Sequence, residues 1–320
     1  MVDQLASADA CRICGVPLSK DQFQSDGVCA NCAGVPSSDI WRNAQSASEA
    51  GTSNEFIYGA QPNMPADPDH PRWGPVTGIV VWLVSVAAVI ILPIIAVLLW
   101  LVIQSARGEA LPNLAVREEL LEWLKSPTLL LVQVLSTIVA HAITLVICWI
   151  VVTRIGRREF WEGLGWSWAG HSFWYWFVFS ACVIVALLIV TQLLARVLPQ
   201  SDENAFTELL KSSTQVRIAI AVLATFTAPL VEETVYRGIL FSSLRKNLGS
   251  SATVLLVTVM FTGVHVLQYL GAWVSIAGLM LLSLTMTVVR ARTKSILPCV
   301  LIHTVNNAFF AVLILLNKAS

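Results

Sequence analysis

From Val76 onward, this 320-residue chain is dominated by apolar runs long enough to cross a lipid bilayer, and this feature constrains the fold most. A hydrocarbon core about 30 Å thick needs roughly 20 apolar residues in a helix, because each backbone group must bond within its own segment. Hydrophobic residues make up 56% of the chain and charged residues 12%, too few to cover a soluble protein. The sequence therefore predicts an all-α transmembrane bundle over 76–320 and excludes a water-soluble enzyme for most of the chain.

The apolar runs can be counted, and they predict a bundle of about seven or eight helices. Pro93, near the middle of the first run, predicts a kink. Two amphipathic stretches, 110–125 and 202–213, are expected on the membrane surface, and either would supply an eighth helix. The seven candidate spans are 76–103, 128–152, 172–198, 215–236, 252–270, 273–290 and 295–316.

Four cysteines near the N-terminus form two C-x2-C pairs separated by 14 residues. Each pair supplies two thiolates from one tight turn, and four thiolates complete the tetrahedral coordination of Zn²⁺. We therefore predict a zinc-ribbon-like module over 1–34 with a structural zinc ion and a role that is either structural or the recognition of a protein partner. Two disulfides or a redox-active C-x2-C are the alternatives. The predicted zinc ligands are Cys11, Cys14, Cys29 and Cys32.

Residues 35–75 are rich in Pro, Ser, Asn and Asp, a composition typical of a flexible linker. The first 20 residues carry charges and lack the apolar stretch of a signal peptide. Arg154, Arg157 and Arg158 lie between the second and third spans and favour the cytoplasmic side. We expect a multi-pass protein of the cell (inner) membrane with a cytoplasmic N-terminus. Basic and acidic residues number 20 each, which argues against a nucleic-acid partner.

Ionisable residues enter the predicted spans mainly in the last third of the chain. A charge at the bilayer centre costs ~2.5–3.5 kcal/mol, so such side chains need partners or a function. Glu233 and Arg237 are four residues apart with the glutamate first, the favoured order for a helical ion pair. Glu232 then lies about 100° further round the helix and is free for another task.

Two later spans add histidines and an amide to this carboxylate. His303 and Asn307 are four residues apart and face one groove, while His265 comes from a separate helix. A carboxylate beside neutral histidines can deprotonate water, and an imidazole with an asparagine amide can hold an oxyanion. The combination predicts attack of water on an amide bond. Taken singly, each residue has a structural explanation as an interhelical hydrogen-bond partner, the role we expect for His141.

The ordered motifs Glu-Glu-x-x-x-Arg, Phe-x-x-x-His and His-x-x-x-Asn, on separate late helices, resemble those of the CPBP family. This family comprises CAAX-prenyl-protease and bacteriocin-processing, Abi-type intramembrane proteases. The resemblance covers about 160–316 and includes the Gly-Leu-Gly-Trp stretch at 163–166. It implies that Glu233 and Arg237 orient the site.

The resemblance also implies roles for the other four residues. Glu232 and His265 would activate water, and His303 and Asn307 would stabilise the oxyanion. The implied activity is that of an intramembrane endopeptidase acting on a membrane-associated protein or peptide. CAAX-type prenylated ends are the substrates best known for the family.

The sequence leaves open whether a catalytic metal takes part in the reaction and whether the chain has a function other than proteolysis. Two histidines and a carboxylate can ligate zinc with an open position, as in a metalloprotease, although H-E-x-x-H is absent. We favour a glutamate-dependent mechanism without a metal. The main alternative is a non-proteolytic scaffold or bacteriocin-immunity protein whose zinc ribbon recruits a partner. A transporter is a third possibility, weakened because the two halves show no evident repeat.

Overall fold

The computed structural model describes residues 67–199 and 211–316, and within these ranges the chain is helical and contains no β-strand. Six helices there are long and apolar enough to cross a membrane, which confirms the predicted all-α membrane fold. The predicted zinc-ribbon module over 1–34, with its four cysteines, lies outside the described residues. The zinc site therefore stays a prediction.

The first three helices form one side of the bundle. Helix α1 (Pro75–Ala106) is 32 residues long, about 48 Å at 1.5 Å per residue, and continues through Pro93. Helix α2 (Arg117–Leu124) occupies the predicted surface stretch at 110–125. Helix α3 (Pro127–Thr153) packs along α1. Both long helices begin with proline, whose missing N–H costs nothing in the first turn.

A short helix, α4 (Phe160–Gly163), and a glycine turn lead into α5 (Phe173–Leu194). Gly165 has φ +71°, and a side chain there would collide with the backbone carbonyl of Lys294. Its own carbonyl accepts a hydrogen bond from the backbone N–H of Ile296 at 3.2 Å. The glycine of the Gly-Leu-Gly-Trp stretch thus permits this loop to dock on the turn between the last two helices.

The segment Thr214–His265 is a continuous helical run of 52 residues that folds back on itself. Gly249 interrupts it with φ 75° and ψ 172°, values outside the helical region. The rings of Tyr236 and Phe261 lie 5.0 Å apart, whereas a straight helix would separate them by about 37 Å. We call this run the hairpin. Its parts are α6 (Thr214–Val222), a π-helical turn (Leu223–Thr227), α7 (Ala228–Glu233), a second π-helical segment (Thr234–Leu240) and α8 (Phe241–His265).

The hairpin explains why seven spans were predicted and six long helices are found. Predicted spans 215–236 and 252–270 are its two arms, joined without a loop. The second arm ends at His265, earlier than predicted, and turns follow up to α9. Helices α9 (Trp273–Thr293) and α10 (Leu297–Leu316) complete the bundle against it.

The end of the predicted linker is packed against the bundle, which differs from the expectation of a flexible segment up to residue 75. Asp69 is only 4% exposed, because it forms ion pairs with basic residues of the bundle. The indole N–H of Trp73 donates to the carbonyl of Ile239 at 3.1 Å. The ordered membrane unit therefore includes residues 67–74.

Candidate active site

The hairpin and α9 hold a fully buried ion pair between Glu233 and Arg237. Arg237 Nη1 lies 3.0 Å from Glu233 Oε1, and both side chains are 0% exposed. Arg237 Nε donates to Thr287 Oγ1 at 3.2 Å, and Nη2 donates to Ser283 Oγ at 2.7 Å. A buried ion pair is tolerated when its remaining donors are also bonded, and here every guanidinium nitrogen donates. The ion pair predicted from the i,i+4 spacing is present.

Helix α10 brings His303 onto the same carboxylate. His303 Nδ1 lies 2.9 Å from Glu233 Oε1, so this oxygen accepts from both the imidazole and Arg237. The other ring nitrogen, Nε2, is 3.9 Å from Glu232 Oε2, beyond hydrogen-bond distance. Because Glu233 fixes the proton on Nδ1, the ring presents Nε2 to the space beside Glu232.

Glu232 is the reactive carboxylate candidate by its surroundings. Its side chain keeps 23% exposure, and within the described ranges it accepts no hydrogen bond, in contrast to the fully buried Glu233. It interacts electrostatically with His141, Tyr236 and Tyr269, which come from three parts of the bundle. A carboxylate that accepts no other hydrogen bond and lies near polar side chains can accept a proton from water.

His265 lies on the far arm of the hairpin, next to the ring of Phe261. Its Nδ1 donates to the carbonyl of Phe261 at 2.8 Å, and the two ring centroids are 4.9 Å apart. The Phe261 ring also lies 5.9 Å from that of His303 and 4.5 Å from the guanidinium carbon of Arg237. Phe261 therefore connects the two histidines by packing, while no ion pair joins His265 to Glu232 among the described residues.

Asn307 completes the backbone bonding of the first arm. In the first π-helical turn the N–H of Ala228 bonds five residues back, to the carbonyl of Leu223. The next carbonyl, that of Ala224, would need an N–H at position 229, where proline has none. Asn307 Nδ2 donates to this carbonyl at 2.8 Å. An amide nitrogen carries two hydrogens, so one is left to bind an oxyanion.

Several contacts were not predicted from the sequence. The hydroxyls of Ser283 and Thr287 accept hydrogen bonds from the Arg237 guanidinium. Two hydroxyls four residues apart in an apolar span could have indicated such a polar contact. His141 has the structural role predicted for it, because its Nδ1 lies 3.0 Å from Thr227 Oγ1 on the arm that carries Glu232. The prediction of a structural role rested on the absence of any other His, Asp, Glu, Lys or Arg from its predicted span.

The donor set does not have the arrangement of a metal centre. In the described part of the chain, no three His, Cys, Asp or Glu side chains converge as metal ligands. The Glu233 oxygen nearest His303 is already shared with Arg237. We therefore derive no step through a catalytic metal.

Comparison with protein families places these residues in a known sequence pattern. The family described as Rce1-like, Type II CAAX prenyl endopeptidase Rce1-like, matches residues 214–309. The match covers less than a third of the chain but contains the hairpin, α9 and most of α10, and so all three motifs. No curated protein and no solved structure matches the chain.

Proposed function

We propose that this chain, which matches the Rce1-like family over residues 214–309, is a membrane protease of the CPBP family and an intramembrane endopeptidase in which Glu232 activates water. At the family level the activity is that of a CAAX-type endopeptidase. The observation that carries the residue assignment is the contrast between two adjacent glutamates. Glu233 is buried and accepts hydrogen bonds from Arg237 and His303. Glu232 is partly exposed and accepts no hydrogen bond from the residues that the structure describes.

The hydrogen-bond partners of the two histidines suggest different roles for them. A backbone carbonyl holds the Nδ1 hydrogen of His265, which leaves the Nε2 lone pair of the neutral ring to orient a water. The Glu233 carboxylate lies 2.9 Å from Nδ1 of His303 and so fixes the orientation of its ring. The protonated His303 ring donates from Nε2 to the oxyanion, beside the second amide hydrogen of Asn307.

In the proposed reaction, Glu232 takes a proton from water as the water oxygen bonds to the scissile carbonyl carbon. The carbonyl oxygen becomes an oxyanion held by His303 and Asn307. The intermediate collapses by breaking the C–N bond, and Glu232 returns the proton to the leaving amine. The products are a carboxylic acid and an amine, and Glu232 is regenerated as a carboxylate. Such acid–base catalysis contributes about 10²–10⁴-fold to the rate.

The test is cleavage of a farnesylated CAAX peptide by the purified full chain in nanodiscs, followed by mass spectrometry. Glu232→Gln is isosteric and leaves the buried ion pair intact, so we expect turnover to fall about 10³-fold with unchanged thermal stability. Glu118→Gln, on the exposed surface of α2, is the matched control and should cleave like the wild type. Equal cleavage by Glu232→Gln would refute the assignment.

A second experiment tests proteolysis without assuming a substrate. Protein termini are compared by quantitative mass spectrometry between cells that carry wild type and cells that carry Glu232→Ala at equal expression. Termini that appear only with wild type identify the substrate, prenylated or otherwise. Unchanged termini, with a phenotype on gene deletion that Glu232→Ala still complements, would favour the scaffold or immunity role.

We also propose that Cys11, Cys14, Cys29 and Cys32 bind one structural zinc ion. The spacing supports this proposal, since four thiolates from two tight turns complete a tetrahedral site. Metal analysis of the purified chain should find about one zinc per molecule, and Cys11→Ser with Cys14→Ser should lose it. Bound zinc in that double variant would overturn the assignment.

A further inference from the structure

Asp69 lies at the centre of a cationic cluster at one end of the bundle. Its Oδ1 is 3.0 Å from Arg290 Nη1, and its Oδ2 pairs with Arg245 and lies 3.7 Å from Lys294 Nζ. Asp69 is 4% exposed and Arg290 0% exposed. Buried charges are unfavourable unless their partners are well placed, so this cluster favours one position for residues 67–74.

Arg290 contacts the active-site backbone as well as Asp69. Its Nε donates to the carbonyl of Arg237 at 3.0 Å, and its Nη2 donates to Ser242 Oγ at 2.9 Å. The Arg237 carbonyl lies in the second π-helical segment, where the N–H of Phe241 bonds five residues back to Tyr236. Such a shift in register leaves backbone carbonyls available to side chains. Arg290 thus fixes the backbone of the residue whose guanidinium holds Glu233.

The contacts form one continuous row from the segment before α1 to the catalytic imidazole. Asp69 to Arg290, Arg290 to Arg237, Arg237 to Glu233 and Glu233 to His303 are each 2.9–3.0 Å. We propose that Asp69 is a positioning residue of the active site, acting through Arg290 on the Arg237 backbone. This inference rests on the proposed function, because it assigns Asp69 a part in the same reaction.

The same segment offers a matched control. Asp67 is 41% exposed and pairs with His70 at 2.9 Å and with Lys294 at 3.5 Å. Among the described residues it forms no ion pair with Arg290. Its Oδ1 also accepts from the backbone N–H of Asp69 at 3.0 Å. Loss of Asp67 therefore removes a carboxylate, and a backbone contact, from the same stretch but none of the four contacts of the row.

The kinetic test compares Asp69→Ala, Asp69→Asn and Asp67→Ala in the full chain. We expect Asp69→Ala to lower kcat about tenfold or more with KM within about twofold, because a small misplacement of catalytic groups lowers the rate of the chemical step. Asp69→Asn keeps the shape of the side chain and should lose less. Asp67→Ala should retain wild-type kcat.

Arg290→Lys separates positioning from general stability. Lysine keeps a positive charge for Asp69 but cannot reach both Asp69 and the Arg237 carbonyl with fixed donors. We expect the kcat of Arg290→Lys to fall like that of Asp69→Ala. The double variant Asp69→Ala with Arg290→Lys should be no slower than the slower of the two single variants, because both substitutions act through the same row of contacts. Additive losses, or a wild-type kcat in Arg290→Lys, would overturn the proposal.

A measurement without substrate keeps this inference separate from the proposed function. Hydrogen–deuterium exchange by mass spectrometry should be faster across 234–242 in Asp69→Ala and Asp69→Asn, and unchanged in Asp67→Ala. If the wild type cleaves no prenylated peptide but this exchange pattern appears, the substrate assignment fails and the positioning role stands. Unchanged exchange and unchanged kcat in both Asp69 variants would refute the positioning role.

Discussion

Helix α1 and the hairpin cross the same membrane but differ in whether they bury charged residues. Of the 32 residues of α1, none is ionisable and only Gly78 and Val81 are buried, so its apolar surface faces outward. The hairpin buries Glu233 and Arg237 completely. Lipid tails are as apolar as leucine, so apolar residues gain little by leaving them, whereas charged residues must find partners inside the protein. The hairpin therefore encloses an ion pair within an apolar core, whereas α1 contributes no charge to the interior.

The largest test of this contrast is to remove one partner of the buried ion pair. Arg237→Met leaves the Glu233 charge without its cation, and we expect the free energy of unfolding to fall by about 3–5 kcal/mol. Leu98→Ala on α1, at a side chain 56% exposed, should change it by less than about 0.5 kcal/mol. Reversible unfolding in mixed micelles measures both. Adding Glu233→Gln to Arg237→Met should recover part of the loss.

Two phenylalanines of the hairpin sharpen the comparison within one element. Phe261 is 0% exposed and contacts both histidines, while Phe226 is 66% exposed. Phe261→Ala should cost about 3–5 kcal/mol and abolish most peptide cleavage, because a cavity opens between the two imidazoles. Phe226→Ala should be close to wild type in both measurements. Equal losses of stability and cleavage in Phe226→Ala and Phe261→Ala would contradict the view that the site depends on buried rather than exposed side chains of the hairpin.

Asn307 combines a structural bond with a proposed catalytic one, and the two can be separated. Asn307→Ala leaves the Ala224 carbonyl unbonded, which should cost about 1–3 kcal/mol of stability. Loss of an oxyanion donor should also lower kcat about 10²–10³-fold.

Pro229→Ala tests the reason for that bond. Alanine supplies the N–H that position 229 lacks, so the Ala224 carbonyl gains a helical partner. In this background Asn307→Ala should destabilise less, while kcat stays low. A stability loss as large as in the single variant would show that the missing N–H does not explain the contact.

The smallest expected effect lies outside the membrane, at Asp67. Burial would raise the pKa of this carboxyl, but the Asp69 backbone N–H, the His70 side chain and Lys294 together hold it below its ordinary value. Because the folded-state pKa lies below the ordinary value of about 3.9, the stabilisation is fully present at pH values above that ordinary value. It is lost as the pH falls through the folded-state pKa. Asp67→Asn should flatten the acid limb of the stability profile slightly, as measured by thermal unfolding between about pH 2 and 5. An identical acid limb would contradict this contribution.

The parts of the fold that the sequence predicted are those set by local spacing. The apolar runs located the helices because crossing a bilayer requires length and composition alone. The i,i+4 spacing predicted the Glu233–Arg237 pair, since 3.6 residues per turn place such side chains on one face. The continuity of the two hairpin arms was missed, because the polar stretch at 245–251, which is typical of a loop, is helical on both sides of Gly249.

Only the tertiary structure decided which residues distant in sequence come into contact. Glu233 and His303 are 70 residues apart, and Asp69 and Arg290 are 221 apart. Sequence reasoning supplied the motif residues, but not which histidine would bond to Glu233, nor that Asp69, within a predicted linker, would reach the core. Helical periodicity fixes the face on which a side chain lies. Which faces meet depends on packing among all the helices, and that packing determines which buried charge finds which partner.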